Sequence, residues 1–536
     1  MKPKILIVYP NLPLMMSPAI SVAIINAICK REKCDVKLFE TTQYSDKYQN
    51  KFVRLAEIGA IRLDKGDREV KDMFHIKPTQ KIIPDFIECV SKYDPDLILM
   101  SVQEDVFGMA TKLLDSIKDL NIRHILGGIL PISDPSFVIA HELINQICIY
   151  EGEGVVEDAI TCLKNNKPLS NIKGTWFKDI TGNIHKNPPQ PLTNIMKVIP
   201  DYSCFEGMRW KRTMGGRLFN RAVAMETYRG CPYNCTYCNS PNTRNVSKVL
   251  NIGNYMRRKT ANRVEEEFLF LKESYDPDFM LFIDDSFLAR PAKEIFDFCK
   301  MWSKYKIPFW MNTRIENCKV EYLEALKEAG CYRMSFGLES GNATYRAKVL
   351  KRTPSNKKYE EFFGYINESN IPYALNVIIG MPLETREMVL ETADLVRSAR
   401  GYDGITIAIF QPYRGTTLRK VAVENGFLDS SYVIAEDSDN IIGSGFMNTW
   451  PLKMPKPYLQ AKDLEGLVKC FSLYAHFNHD MWPEIKVAET DDTKFKELMD
   501  LYTGEFFEDF QQGGKDRVQK FCAMHDFSST YQFEVA

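Results

Sequence analysis

Apolar residues come in short unbroken runs near the start of the chain, and polar or proline-rich stretches separate them. Lys4–Tyr9 reads as a buried strand, followed by a loop carrying Pro10, Pro13 and Pro18, then a helix from about Ala19 to Arg31. Asp35–Phe39 is a second strand, and Asp96–Ser101 a third, after a helix over Pro84–Tyr93 whose proline sits in the first turn. A helix over Gly108–Leu120 leads to Arg123–Leu126, which ends in Gly127-Gly128, and Ile147–Tyr150 ends in Glu151-Gly-Glu-Gly154. Strands this uniformly apolar are covered on both faces, which predicts a parallel, doubly wound (Rossmann-like) sheet. Ligands on such sheets sit beyond the carboxyl ends of the strands. Those ends carry Pro10–Ser17, Ser101–Glu104, Gly127-Gly128 and Glu151–Gly154.

From about Lys167 to Asn220 the chain is rich in Pro, Asn, Lys and Gly, with a hairpin-like Trp176–Ile184, and reads as a connector between two halves. A second alternation starts at Ala222, with strands near Ala222–Glu226, Phe279–Ile283, Pro308–Asn312, Arg333–Phe336, Ala374–Ile379 and Gly404–Phe410. Six strand–helix units predict a partial (β/α)6 barrel with its chemistry at the carboxyl rim. After Leu428 the pattern turns irregular and then helical over Ala461–Phe477 and Asp492–Tyr502, while the tail after Gly513 is weak. The expected organisation is a doubly wound domain over 1–165, a connector over 166–220, a partial barrel over 221–428 and a mostly helical region over 429–536.

Composition changes this picture little. At 536 residues the chain is too long for one core. Lys+Arg 69 against Asp+Glu 70 leaves a net charge of −1, so no global footprint for nucleic acid is present. No apolar stretch approaches the roughly 18–20 residues a membrane span needs, and the first apolar run reads as a strand rather than a signal peptide. A cytoplasmic enzyme is expected. Most of the 14 cysteines are scattered, and Cys89, Cys148 and Cys299 sit in apolar segments like small hydrophobes. Cys204, Cys318 and Cys331 are candidates for a second cluster, but their scattered spacing favours core thiols, and Arg257-Arg258-Lys259 reads as a solvated helix start in preference to a phosphate site.

Three cysteines are clustered. Arg229-Gly-Cys231-Pro-Tyr-Asn-Cys235-Thr-Tyr-Cys238 follows a strand and spaces its thiols Cys-x3-Cys-x2-Cys. Such a loop can wrap one corner of a cubane, giving thiolates to three irons and leaving the fourth open to a ligand, whereas electron-transfer clusters generally take four cysteines. Zinc, which favours four protein ligands or a histidine-containing set, and a redox Cys-x-x-Cys pair are the alternatives.

The motif resembles the radical S-adenosylmethionine (SAM) superfamily, whose Cys-x3-Cys-x-aromatic-Cys follows the first barrel strand, with Tyr237 here as the aromatic. The resemblance extends in order around the rim. It implies SAM contacts at Asp284 and Asp285 for the amino end, Arg314 for the carboxylate, Gly337 and Glu339 for the ribose, and Gly380 alongside the adenine. Tyr237 is expected to contribute backbone and packing, not its hydroxyl. The preceding doubly wound domain, with Gly127-Gly128 and Glu151-Gly-Glu-Gly154, is similar to the cobalamin-binding subgroup. That similarity implies corrin contacts at Ser101, Gly127, Gly128, Glu151 and Gly152, where glycine lets backbone approach a bulky ligand. The Asp-x-His-x-x-Gly that supplies a cobalt ligand in other cobalamin proteins is absent. The sole His-x-x-Gly, His124 to Gly127, lies elsewhere, so no imidazole is expected on cobalt.

The resemblance therefore implies a cluster-bound SAM cleaved to a 5′-deoxyadenosyl radical, hydrogen abstraction from a small-molecule substrate, and methyl transfer from methylcobalamin to carbon. An electron donor such as flavodoxin or ferredoxin would be needed. Oxidative cyclisation without methyl transfer is the rival within enzymes, and a non-catalytic cobalamin or redox sensor the rival outside them. RNA methylthiolation is disfavoured by the neutral charge and the lack of a basic appended domain.

Overall fold

The computed structural model describes residues 2–12, 17–46, 75–214, 217–434 and 450–502. The tail after Gly513 and part of the Pro10–Ser17 loop lie outside them.

The first sheet is built from β1 (Lys4–Tyr9), β2 (Asp35–Glu40), β3 (Leu97–Ser101), β4 (His124–Gly127), β5 (Gln146–Cys148), β6 (Thr175–Lys178) and β7 (Ile184–Lys186), in spatial order 2-1-3-4-5-6-7. The first five are parallel, with Ile5 opposite Val36 on one side and Leu97 on the other. Alternate residues serve two separate cores. Ile5, Ile7, Leu97 and Leu99 meet Val22, Ile28, Val155 and Ile160 of the helices Ile20–Arg31 and Gly152–Lys164. Leu6, Val8, Ile98 and Met100 meet Phe86, Val90 and Leu113 of the helices Ile82–Tyr93 and Phe107–Asp115. Burial on both faces is why these strands read as continuous apolar runs.

One expectation is corrected here. The hairpin β6–β7 is not a free connector element: β6 pairs antiparallel with β5 and extends the first sheet. The remaining connector ties the halves together. Asn26 Nδ2 donates to Asp201 O at 2.8 Å, and Tyr202 OH donates to Ala224 O at 2.7 Å. Fully buried Arg209 reaches back to Glu40 at 2.9 Å, and a small hairpin of β8 (Arg212–Met214) and β9 (Arg217–Phe219) follows.

The second sheet contains β10 (Ala222–Met225), β13 (Phe279–Phe282), β14 (Phe309–Arg314), β15 (Cys331–Glu339), β16 (Tyr373–Ile379) and β17 (Gly404–Ile409), parallel and in chain order, with β10 and β17 as open edges. The pair β11 (Tyr228–Arg229) and β12 (Arg257–Arg258) forms a two-stranded ribbon beside it. Thr260, Ser355, Thr385 and Thr416 each cap the helix they precede by accepting a backbone N–H, which sets where the chain turns back along the sheet. The helices Ala461–His476, Trp482–Ala488 and Asp492–Tyr502 complete the described chain. Among the described residues no helix is long and apolar enough to cross a membrane.

Candidate active site

The carboxyl ends of the two sheets face each other. The loop after β3 meets the loop after β17: Tyr413 OH donates to Asp105 at 2.9 Å, and Glu104 accepts from the Arg414 amide at 2.7 Å and from Arg419 Nη1 at 3.3 Å. Beyond β4, Asp134 accepts from Arg414 Nη1 at 2.9 Å. Beyond β5, Tyr150 OH donates to Thr243 O at 2.9 Å, and Glu151 and Glu153 accept from Arg229 Nη1 at 3.1 and 2.7 Å. Glu104 and Asp105 are buried, so this seam excludes water.

Next to the seam lies the cysteine loop. Gly230 has φ +99°, and a Cβ there would stand 2.8 Å from Tyr255 O, so glycine is required at the turn into Cys231. Fully buried Asp284 pins the loop's first leg, accepting from Thr227 N at 2.7 Å, Tyr228 N at 3.0 Å and Arg290 Nη2 at 2.7 Å. The far leg is held where Thr236 Oγ1 donates to Val349 O at 2.8 Å, and Arg244 Nη1 donates to Cys231 O at 2.8 Å. Burial pushes the Cys231 and Cys238 thiols up to about 11 and about 12. Cys235 Sγ accepts from Arg314 Nη1 and Cys238 Sγ from Ser240 N, both at 3.4 Å, so two sulfurs already have the N–H donors a thiolate needs.

No group of three or more His, Cys, Asp or Glu among the described residues converges on a single point, as one metal ion would require. Cubane thiolates each bind a different iron and do not converge. The donor set fits a cluster better than zinc.

The remaining rim residues fall into two classes. Asp284 is consumed by the loop it pins, but Asp285 has no hydrogen-bond partner among the described side chains and faces the thiols. Burial and the neighbouring Asp284 raise its pKa to about 6, although part of its surface reaches solvent. Arg314, besides bonding Cys235, pairs with Glu316 and stacks 3.8 Å from the Tyr233 ring, so its guanidinium is already engaged. Glu339 sits at a bulge in β15 with φ +68°, its side chain folded back over Gly337, where any Cβ would collide with it. The Tyr237 hydroxyl, expected to be idle, donates to Glu339 Oε1 at 3.0 Å and accepts from Arg352 Nη1 at 3.1 Å, forming a buried Tyr–Glu–Arg triad. At Gly380 (φ +82°) the amide donates to Glu384 Oε2 at 2.6 Å and the carbonyl accepts from Trp450 Nε1 at 2.8 Å. Burial pushes fully buried Glu384 up to about 8.

On the first sheet, Ser101 is half-exposed at the end of β3. Gly127 and Gly152 have room: an added Cβ would make only ordinary 3.7 Å contacts. Gly128 does not (φ +101°), since a Cβ would lie 2.5 Å from Val102 O, so this glycine is demanded by the protein's own backbone. Glu151 is held across the seam by Arg229, by Arg257 Nη1 at 2.8 Å and by the Thr193 amide at 2.8 Å. His124 begins β4, about 10 Å along the strand from Gly127. Its Nε2 accepts from Asn145 N at 3.4 Å, and its Nδ1–H donates to Ile122 O at 3.3 Å.

Residues 225–396, which include all three cysteines, match the radical SAM superfamily. This stretch is a radical SAM domain. The chain is also 28% identical, over 358 residues covering 64% of it and 73% of the relative, to an uncharacterized methyltransferase of Pyrococcus horikoshii. Its fold is similar to that of OxsB, a cobalamin-dependent S-adenosylmethionine radical enzyme solved with aqua-cobalamin and S-adenosylmethionine (TM-score 0.58, 16% identity, 98% of this chain and 75% of that one). It is similar as well to the radical S-adenosylmethionine methyltransferase TsrM from Kitasatospora setae, solved with cobalamin and a 4Fe-4S cluster (TM-score 0.57, 15% identity, 79% and 75%).

Within the radical SAM domain the structure brings Tyr237, Gly337 and Glu339 together, and sets Asp285 and Arg314 beside the cysteines. Arg229, Arg290, Arg352 and Glu384 are parts of the site that sequence reasoning passed over. Only Glu384, a carboxylate four residues after Gly380, carried a local signal. Arg257-Arg258-Lys259 also differs from expectation: Lys259 is buried against Glu267 at 2.8 Å, and Arg257 belongs to the seam, leaving only Arg258 exposed.

Proposed function

We propose that this chain is a cobalamin-dependent radical SAM enzyme that methylates an unactivated carbon of a small molecule, acting in a reducing, cytoplasmic setting. The apposition of the two carboxyl edges carries this reading: a ligand at the ends of β3, β4 and β5 would lie on the edge of the first sheet that meets the segment carrying the cysteines. The reading takes support from the methyltransferase and cobalamin names of the similar proteins.

When bound, a 4Fe-4S cluster with SAM supplies a hydrogen-abstracting radical and cobalamin a transferable methyl group. This chain's residues hold and orient. Cys231, Cys235 and Cys238 supply the thiolates, with Arg314 and Ser240 steadying two of them. Asp285 would accept N–H bonds from the SAM ammonium as a carboxylate, above its raised pKa. Glu339, held by Tyr237 and Arg352, would accept from the ribose hydroxyls, and the backbone beside Gly380 would lie along the adenine. Arg314 Nε, buried without a hydrogen-bond partner among the described residues, would be the donor left for the SAM carboxylate. On the other side Ser101, Gly127 and Gly152 leave space for the corrin, while Gly128 and Glu151 shape that wall from behind. His124 lies at the opposite end of its strand with both ring nitrogens used, and would not reach a corrin held at the carboxyl ends.

The test is anaerobic reconstitution with iron, sulfide and hydroxocobalamin, followed by turnover with methyl-labelled SAM. About four irons, 5′-deoxyadenosine and label in the product are expected, and Cys235→Ala abolishes all three. Deoxyadenosine with no label in a ring-closed product supports oxidative cyclisation instead. Cobalamin uptake with no deoxyadenosine supports a sensor. Stoichiometric zinc in place of iron overturns the reading.

A further inference from the structure

The chain as a whole is nearly neutral, yet its charge is unevenly placed around the cysteine loop. Between Thr227 and Val264 there is no acidic residue and there are seven basic ones; between Ser340 and Tyr359 there is again none, with six basic ones. The fold packs these two segments together, since Thr236 N donates to Leu350 O and Thr236 Oγ1 to Val349 O. Several of the cations are internal: Arg229, Arg257, Lys259 and Arg352 pair with buried carboxylates. Arg346 is fully buried as well, and Arg258 and Arg263 pair with Glu294 and Glu266. Lys248, Lys348 and Lys351 are exposed, and among the described residues no carboxylate pairs with them.

These lysines flank residues that touch the loop: Lys248 follows Arg244, and Lys348 and Lys351 bracket the Val349 and Leu350 carbonyls that bond Thr236. Pro232 and Asn234, between the cysteines, are exposed, while Cys235 is buried. Arg244 bridges Cys231 O and Asn234, and Lys248 follows one turn later on the same face of the helix Ser240–Val249. At the end of that helix Val249 is 74% exposed, an apolar side chain beside the basic groups. Neither segment strongly exposes a large aromatic ring on which a base would stack, which argues against single-stranded RNA.

We propose that this face, formed by Lys248, Val249, Lys348 and Lys351 beside the cysteine loop, docks an acidic one-electron carrier protein. The inference rests on the radical SAM reading, in which the cluster must be reduced by one electron while the donor is oxidised by one. A donor bound here stands against the backbone of the thiolate loop, and complementary charge speeds its arrival without adding much to final affinity.

The test uses the reconstituted full-length protein and the triple variant Lys248→Glu/Lys348→Glu/Lys351→Glu, with Lys→Gln at the same positions as a milder version. Cluster reduction is timed with reduced flavodoxin and, separately, with dithionite. The expected result is a loss of about tenfold or more in the flavodoxin rate at low salt for the Glu variant and a smaller loss for the Gln variant. The difference should shrink at high ionic strength, while iron content and dithionite-driven 5′-deoxyadenosine formation stay at wild-type values. Equal flavodoxin rates in wild type and variants overturn the docking proposal alone. Lost RNA binding with unchanged flavodoxin rates assigns the face to nucleic acid and also overturns it. A wild-type protein that dithionite cannot drive to cleave SAM overturns the functional reading beneath it.

Discussion

Arg229 is the residue whose removal tests the seam most directly. Its guanidinium serves Glu226, three residues back, at 2.7 Å, and Glu151 at 3.1 Å and Glu153 at 2.7 Å across the seam, with the four side chains only 9–21% exposed. Arg229→Met keeps the aliphatic stem and deletes the charge. Glu151 retains Arg257, but Glu226 and Glu153 are left buried with no comparable partner, a situation that costs about 3–5 kcal/mol. The pH dependence has a definite sign. Burial opposes ionisation of Glu226 and Glu151, yet the arginines outweigh it and hold both pKa values below the ordinary carboxylate range. In the wild type their stabilisation is therefore present above the unfolded carboxylate pKa and is lost as the pH falls through the lower folded values. Without Arg229 burial dominates, the folded pKa of Glu226 rises above its unfolded value, and protonation relieves the cost as the pH falls. Urea unfolding of both proteins should give a gap of about 3–5 kcal/mol at pH 7.5 that narrows by at least about 1 kcal/mol at pH 5. A gap under about 1 kcal/mol, or one that does not change with pH, refutes the argument.

Gly128→Ala should cost on the order of 2–4 kcal/mol in thermal or urea unfolding, because φ +101° and the 2.5 Å approach to Val102 O leave no room for a methyl group; Gly127→Ala, with a nearest contact of 3.7 Å, should cost far less. Because Asp285 titrates at about 6, SAM affinity measured by calorimetry on the reconstituted protein should fall as the pH drops from 7.5 through 6, and Asp285→Asn should flatten that profile. Cob(II)alamin bound to the protein should give an EPR spectrum without axial nitrogen splitting, and His124→Ala should leave both spectrum and affinity nearly unchanged; splitting that vanishes in the variant would place the imidazole on cobalt.

Much of this architecture was legible in the residues themselves. Strands β1, β3, β10 and β13 are short unbroken apolar runs, and such runs between helical periods leave little choice but parallel sheets covered on both sides. The cysteine loop was legible too, because three thiols within eight consecutive residues form a pattern of spacing alone. Tertiary structure decided everything that depends on partners distant in sequence. Glu151 reads as a strand-end residue open to a ligand, but lies 78 positions from Arg229, and only the apposition of the two sheets makes it half of an ion pair. The Tyr237 hydroxyl gains its role from Arg352, 115 residues on, which no local pattern marks. Gly128 illustrates the same limit from the other side: a glycine's presence is written in the sequence, but whether a ligand or the protein's own Val102 backbone demands it depends on what the fold brings within 3 Å. Periodicity and spacing encode local conformation and burial. The pairing of buried charges is a property of the assembled core, where low dielectric makes each unpartnered group costly enough to dictate its neighbour.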